Sequence, residues 1–230
     1  MNTVKKKSDN VIQLKGVWKI YHLGKVSVEA VRGIDLEVKR GEFLSVMGPS
    51  GSGKSTCMNM IGCLDIPSRG TILLEGKDIS HMTESELAQA RGKVIGFIFQ
   101  QFNLIPSLTV LENVMLPMAF QNIVREDRII RAKELLTMVG LGDRMNHKSN
   151  EISGGQQQRV AIARALTNHP EVILADEPTG NVDSKTGKLI LDYLKKLHRE
   201  EGKTIVMVTH DPNIAEQAQR IVRIYDGQIR

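Results

Sequence analysis

The chain has 230 residues, 41% of them hydrophobic, 25% charged and 4% aromatic, which fits one large globular domain, or one with an insertion, and excludes fibrous and low-complexity classes. The formal net charge is +5, but the only dense basic run is Lys5-Lys6-Lys7 in a polar N-terminal stretch, so no nucleic-acid partner is expected. No stretch approaches the ~18 apolar residues of a membrane span and no signal peptide is visible, which predicts a soluble, cytoplasmic chain.

Residues 1–10 are expected to form a disordered polar tail. Residues 11–21 read as a strand, and 28–31 and 34–38 as two further short strands, with Lys39-Arg40-Gly41 as a turn. Together they predict an antiparallel β layer. Tyr21, near its end, reads as a core or edge aromatic. Residues 43–47 are a short apolar run, read as a buried strand. Gly48, Pro49, Ser50, Gly51, Ser52, Gly53, Lys54, Ser55 and Thr56 follow. The first eight fit G-x-x-x-x-G-K-[ST], the phosphate-binding (Walker A) pattern. Its glycines let backbone N–H groups close around phosphate oxygens. Lys54 is a charge long enough to reach the β- and γ-phosphates, and the Ser55 hydroxyl is a hard donor suited to Mg²⁺. Met58, Ile61 and Leu64 have helical spacing, so a strand, a loop and a helix N-terminus come in succession. Cys57 and Cys63 fall in that predicted helix. Their spacing fits no metal or redox motif, and they are expected to be buried small hydrophobes.

Residues 67–70 read as a turn, 71–75 as a strand and 76–78 as a second turn. Thr83-x-x-Glu86 is a capping box opening a helix of about two turns. Residues 94–99 read as a strand ending at Gln100-Gln101. Residues 103–168 carry helical periodicity and little strand signal, and read as a helical subdomain inserted into an α/β core. Thr109-x-x-Glu112 is a second capping box, and Pro117 is expected to kink or end its helix. A helix is predicted over 125–139, with Gly140 as its C-cap. Ser153-x-x-Gln156 is a third capping box, opening a helix to about 167. Gly154 and Gly155 let a ligand approach that helix end closely, making it a second candidate phosphate site.

Residues 172–176 are an apolar run ending in Asp176 and Glu177, read as a buried parallel strand delivering carboxylates where α/β ligand sites lie. Asp183 and Ser184 cap the next helix, whose predicted core face is Leu189, Ile190, Tyr193, Leu194 and Leu197, and Gly202 closes it. Residues 204–209 form another apolar strand with His210 at its end. Asp211-Pro212 is an N-cap with Pro at the first helical position, and residues 221–230 read as a hairpin.

In this order, the phosphate loop, Ser-Gly-Gly-Gln, the Asp-Glu strand end and the strand-end His resemble the ATPase subunit of ABC transporters, over residues 11–230. Ile152-Ser-Gly-Gly-Gln156 separates that family from other phosphate-loop enzymes. Gly62-Cys-Leu-Asp65, residues 99–106 and residues 177–181 are similar to the lipoprotein-release and macrolide-export (LolD/MacB) branch. The resemblance implies an α/β fold: a P-loop NTPase (RecA-like) core, 11–102 and 169–230, with an antiparallel β layer and an inserted α-helical subdomain, 103–168. It implies ATP and Mg²⁺ as cofactors, with residues 48–56 holding the triphosphate and Ser55, Gln100 and Asp176 serving the metal. Tyr21 is then the aromatic that stacks on adenine. Glu177 is the carboxylate that orients or deprotonates water, Gln100 contacts water and metal, and His210 meets the γ-phosphate. Ser153, Gly154, Gly155 and Gln156 would meet the ATP of a second copy, and Asp183 would communicate across that dimer. The implied partners are that second copy and a polytopic transmembrane subunit on a separate chain, which holds the protein on the inner face of the membrane. An alternative from another class is an ATP-dependent assembly or signalling module that moves no substrate. Two departures are visible. Ile152 replaces the family's usual Leu, and Asn181-Val182-Asp183 stands where Ala-Leu-Asp is common.

Overall fold

The computed structural model describes residues 9–24 and 26–230, the Leu23 side chain excepted. Residues 1–8 of the expected tail lie outside the described residues. Strands β1 (Asn10–Leu23) and β2 (Val26–Lys39) lead into β3 (Phe43–Met47) and helix α1 (Lys54–Ile61). Strands β4 (Arg69–Leu74) and β5 (Lys77–Asp78), helix α2 (Glu84–Val94) and strand β6 (Ile95–Ile98) follow. Helices α3 (Val110–Ala119), α4 (Arg125–Met138) and α5 (Gly154–Ala165) come next, with a 3-10 turn at Ser149–Glu151. The chain then runs through β7 (Val172–Asp176), α6 (Ser184–Glu201), β8 (Thr204–Thr209), α7 (Pro212–Ala215), β9 (Arg220–Tyr225) and β10 (Gln228–Ile229).

The strands form two sheets, ordered β2-β1-β4-β5 and β10-β9-β3-β8-β7-β6. The first is antiparallel. The second is parallel except for its β9–β10 hairpin. Side chains alternate across a strand, so a strand covered on both faces must be apolar throughout. Val206 and Val208 of β8 pack with Leu44, Val46 and Leu174, with α1 and with the antiparallel sheet. Ile205 and Met207, on the opposite face, pack with Phe43, Ile173 and the helical residues Val114, Leu136 and Val160. Burying each such aliphatic side chain contributes about 1.5–3 kcal/mol. Because β3, β6, β7 and β8 run parallel, their C-terminal ends open on one edge, and that edge carries Gly48, Gln100, Glu177 and His210.

Several boundaries differ from the sequence reading. The two short strands expected at 28–31 and 34–38 are one strand, β2. Gly33 takes φ +70 beside a register shift in the β1–β2 pairing, and a Cβ there would stand 3.2 Å from Trp18 Nε1, so the bend is absorbed without breaking the ladder. α1 ends at Ile61 with Gly62 as its C-cap, where a Cβ would lie 2.1 Å from Phe97 Cζ. Cys63 and Leu64 therefore fall outside the helix, with Cys63 at φ +55 and Leu64 exposed. Both cysteines are free and buried, and burial raises their thiols to about 12 for Cys57 and about 11 for Cys63. α2 has 11 residues, about three turns, and takes Val94 from the expected strand. Pro117 lies inside α3, which ends two residues later at Ala119. On α6 the buried face is Gly187, Ile190, Leu194 and Leu197, while Leu189 is exposed and Tyr193 spends its hydroxyl on the Met138 carbonyl at 3.3 Å.

Candidate functional site

The phosphate loop leaves β3 at Gly48. A Cβ there would stand 2.1 Å from Ile224 O, and one at Gly53 would stand 2.3 Å from Ala30 O, so packing forbids any other residue at either place. Gly53 has φ +99 and is the N-cap of α1, with no side chain accepting from the helix's first N–H groups. Such a helix end is left to bind an anion. Ser52 N–H donates to Pro49 O at 3.2 Å, and Gly227 N–H donates to Ser52 O at 2.9 Å, so the β9–β10 turn clasps the loop. The Ser52 hydroxyl is buried without a hydrogen-bond partner, and Lys54 is only 7% exposed. The Lys54 ammonium donates to Pro49 O at 2.7 Å. Burial lowers its pKa, opposed by the carboxylates of Glu177 and Asp176. An orphan hydroxyl, a buried cation and a row of close-packed glycines fit a polyphosphate. A cleft of about 320 Å³ opens here between the loop, Val28 and Ala30 of β2, and Gly227.

Asp176 ends β7, and Glu177 follows at φ +46. A left-handed conformation in a non-glycine residue costs about 1–3 kcal/mol and needs neighbours to hold it. Glu177 N–H donates to Val208 O at 2.9 Å, and Glu177 O accepts from Gly180 N–H at 3.0 Å. Its carboxylate Oε1 lies 2.6 Å from His210 Nδ1, joining the ends of β7 and β8. Burial raises the Asp176 pKa, the charge of Glu177 raises it further, and Lys54 lowers it. Gln100 stands just past β6, and its carbonyl accepts from Asn181 Nδ2 at 2.9 Å.

Lys54, Asp176, Glu177 and His210 are thus within electrostatic or hydrogen-bonding reach of one another. Among the described residues, no three His, Cys, Asp or Glu side chains cluster as a metal cage. The donors that are present, the Ser55 hydroxyl, the Gln100 amide oxygen and the half-buried Asp176 carboxylate, are hard oxygens. They fit Mg²⁺, which keeps several waters and relies on substrate phosphates for the rest.

Ser153 caps α5 in a full capping box, with Ser153 and Gly154 exposed. The close approach expected at Gly155 is made within the chain, since a Cβ there would lie 2.7 Å from Thr186 Cγ2. Thr186 in turn donates its N–H and hydroxyl to Asp183, the cap of α6, at 3.0 and 2.7 Å. Those bonds, the hydroxyl first, hold the Asp183 carboxyl below its usual range. Tyr21 lies in β1 and donates its hydroxyl to Asp65 at 3.0 Å.

Sequence reasoning gave no role to Asp65, Lys19, Asn181 or Gln158, although it named Asp65 and Asn181 within family-like segments. Gln158 is 1% exposed and donates Nε2 to Pro178 O at 2.7 Å, next to Glu177. Its only signal was a polar residue at a buried position of an otherwise apolar helix face. A larger groove, about 630 Å³, runs beside Gln100's strand between α2 and α3, lined by Phe97, Phe99, Leu116 and Phe120.

The ABC transporter family model matches residues 31–180. An uncharacterized ABC transporter ATP-binding protein of Thermotoga maritima is 57% identical over 219 residues, 95% of this chain and 93% of that one. The macrolide export ATP-binding/permease protein MacB of Bdellovibrio bacteriovorus is 49% identical over 222 residues, which are 96% of this chain but 33% of MacB. Among solved structures, the ATP-binding cassette MJ0796, a dimer in a post-hydrolysis state bound to ADP and Pi, matches with a TM-score of 0.89. It is 51% identical and is covered over 96% of its length by 95% of this chain. The protein called MJ0796 comes from Methanocaldococcus jannaschii.

Proposed function

The chain belongs to the ABC transporter family, and we propose that within it the protein hydrolyses ATP to power a membrane partner of the macrolide-export or lipoprotein-release type, closing head to tail with a second copy as it does so. The observation that carries this reading is the Glu177–His210 pair, held at 2.6 Å on the strand edge beside Lys54 and the phosphate loop. Phosphoryl transfer needs charge neutralised and a water placed in line more than it needs covalent chemistry.

Each residue then has one task. The N–H groups of the loop and Lys54 hold the triphosphate, and the Tyr21 ring stacks on adenine. Ser55, Gln100 and Asp176 hold Mg²⁺, which when bound neutralises charge on the phosphates. Glu177 orients a water and accepts its proton. His210, fixed by Glu177, meets the γ-phosphate and places its hydrogen bond there. The helix end at Ser153 offers free N–H groups on an exposed face, for the γ-phosphate of the second copy's ATP, while Asp183 faces that copy. The MJ0796 dimer and its ADP and Pi support such an assembly by similarity.

Among the described residues, no helix is long and apolar enough to cross a membrane, and this reading gives the membrane part to a partner. MacB supports an exporter by similarity, since one third of it matches this chain. The groove beside α3 is apolar, and its Phe120 is 75% exposed. It suits a cytoplasmic segment of the partner, which would keep the protein on the inner face of the membrane.

The test is Glu177→Gln. The amide keeps the shape but is a far poorer base, so turnover stops and the ATP-bound pair persists. Light scattering with saturating ATP should show a dimer for the variant and mostly monomer for wild type. A variant that hydrolyses ATP at the wild-type rate, or stays monomeric, refutes the assignment.

A further inference from the structure

We propose that Asp65 is a positioning residue for the nucleotide base: it fixes the Tyr21 ring at a set distance from the phosphate loop, while Lys19 covers one face of that ring and leaves the other for adenine. The inference rests on the stacking role of Tyr21 given above. It starts from the Gly62-Cys-Leu-Asp65 segment, which no part of the site explains.

That segment follows α1 and is zipped onto β1. Ser68 N–H donates to Trp18 O at 2.8 Å, Ile20 N–H donates to Ser68 Oγ at 3.0 Å, and the Lys19 ammonium donates to Ile66 O at 2.8 Å. Asp65 is thereby brought beside a residue 44 positions away. One carboxylate oxygen accepts the Tyr21 hydroxyl at 3.0 Å and the other takes the Lys19 ammonium. The same ammonium stands over the Tyr21 ring, 5.1 Å from its centroid, within the range of a cation–π contact. The Lys19 and Asp65 side chains are 12% and 26% exposed, so this pair holds its geometry better than a free surface pair does.

Neighbours of Tyr21 line the cleft. Tyr21 pairs with Val28 across β1 and β2, and Val28 and Thr56 both line the cleft by the phosphate loop. The Thr56 side chain also lies near the Tyr21 phenol. Lys54 begins α1, and Asp65 follows its last residue by four positions. The loop that holds phosphates and the carboxylate that holds the ring therefore sit at the two ends of one short helix, and their spacing is rigid. Stacking needs a π face and not the hydroxyl, so the hydroxyl is free to serve as the handle by which Asp65 sets the ring.

Calorimetric binding of ATP and of inorganic tripolyphosphate, with a melting curve for each variant, tests this. Tyr21→Ala should weaken ATP. Asp65→Ala should weaken it about three- to tenfold, the loss expected for one hydrogen bond, and should leave tripolyphosphate within about twofold because only base contacts change. In the Tyr21→Ala background Asp65→Ala should add nothing, since it acts through the ring. Tyr21→Phe should resemble Asp65→Ala, and Asp65→Asn, which keeps an acceptor, should recover most of the affinity. In turnover the loss should appear in KM more than in kcat. Independent, additive losses, or an equal loss for tripolyphosphate, overturn the proposal. Wild-type ATP affinity in Asp65→Ala beside weakened binding in Tyr21→Ala retires Asp65 and leaves the stacking role standing. Unchanged affinity in Tyr21→Ala retires the stacking role and Asp65 with it. If Asp65→Ala does not fold, Tyr21→Phe and Asp65→Asn decide by the same criteria.

Discussion

Three α-helices among the described residues begin with the same device, and that gives the proposed role of Ser153 an internal control. Thr83, Thr109 and Ser153 accept from the N–H groups of Glu86, Glu112 and Gln156 at 3.4, 3.2 and 3.3 Å. Their own N–H groups donate back to those side chains at 2.8 Å in every case. As caps they are equivalent, and replacing any of them with Ala should cost about 1 kcal/mol, roughly 2–4 °C in melting temperature for a chain of this size. The hydroxyl protons differ. At Thr83 and Thr109 they go to Glu86 and Glu112 at 2.8 and 2.9 Å. No such bond forms at Ser153, whose hydroxyl can donate to a phosphate while its lone pair still caps the helix. A hydrogen bond to a charged group is worth about 1.5–3 kcal/mol, or about ten- to a hundredfold. A head-to-tail dimer contains two of them, so Ser153→Ala should weaken ATP-driven dimerisation by about 10²–10⁴-fold. The assay is light scattering across a protein titration with ATP, in the Glu177→Gln background, with all three cap variants side by side. The reasoning is refuted if Ser153→Ala dimerises as well as Thr83→Ala and Thr109→Ala, or if those two lose dimerisation equally.

Lys54→Ala should weaken ATP about ten- to a hundredfold and end turnover, because it removes a charge-assisted contact to the phosphates; unchanged affinity by calorimetry would show that nucleotide binds elsewhere. Asp176→Asn should stabilise the fold while lowering turnover. The folded-state pKa of Asp176 lies above its unfolded value, first through burial and then through Glu177. The folded chain therefore holds a proton that the unfolded chain gives up earlier. Stability falls as pH rises through that window, and the penalty is complete above the folded-state pKa. Melting curves of Asp176→Asn and wild type should differ at about pH 7 and converge toward about pH 4, and a variant less stable than wild type at neutral pH would contradict the burial argument.

Much of the site was legible because its determinants are local. The three capping boxes, the phosphate-loop pattern between β3 and α1, and the apolar runs of β7 and β8 are each written in residues a few positions apart, although the places of Gly48, Gly53 and Glu177 also depend on distant contacts. What was not legible depends on distant contacts. Phe97 packs against Gly62 at the end of α1, and β2 stays continuous through a positive φ at Gly33, which in sequence resembles a break. The Tyr21–Asp65 bond spans 44 positions and Gln158–Pro178 spans 20, and neither follows from any periodicity. The exposure of Leu189 was misread for a related reason. It lies next to the buried stripe of α6, and only the packing of its neighbours decides which edge of an apolar face is covered.

The two departures from the family's usual text bear differently on the chemistry. Ile152 is 7% exposed within the helical core, and an exchange of Leu for Ile at such a site conserves volume and costs less than about 1.5 kcal/mol. Asn181 does something that alanine cannot, since its amide bonds the Gln100 carbonyl. Between the end of β7 and the start of α6, Glu177–Asp183 belong to no ladder or helix. Side chains hold that segment on both sides. Gln158 grips Pro178 from α5, Asn181 grips the segment that carries Gln100, and Thr186 fits against Gly155 while bonded to Asp183. A net hydrogen bond contributes about 0.5–1.5 kcal/mol, so the bonds from Gln158 and Asn181 together are of the size needed to offset the left-handed backbone of Glu177, about 1–3 kcal/mol. The residue proposed to activate water thus stands where it does because of what grips the residues after it, and α5, which Ser153 caps, is one of the two hands.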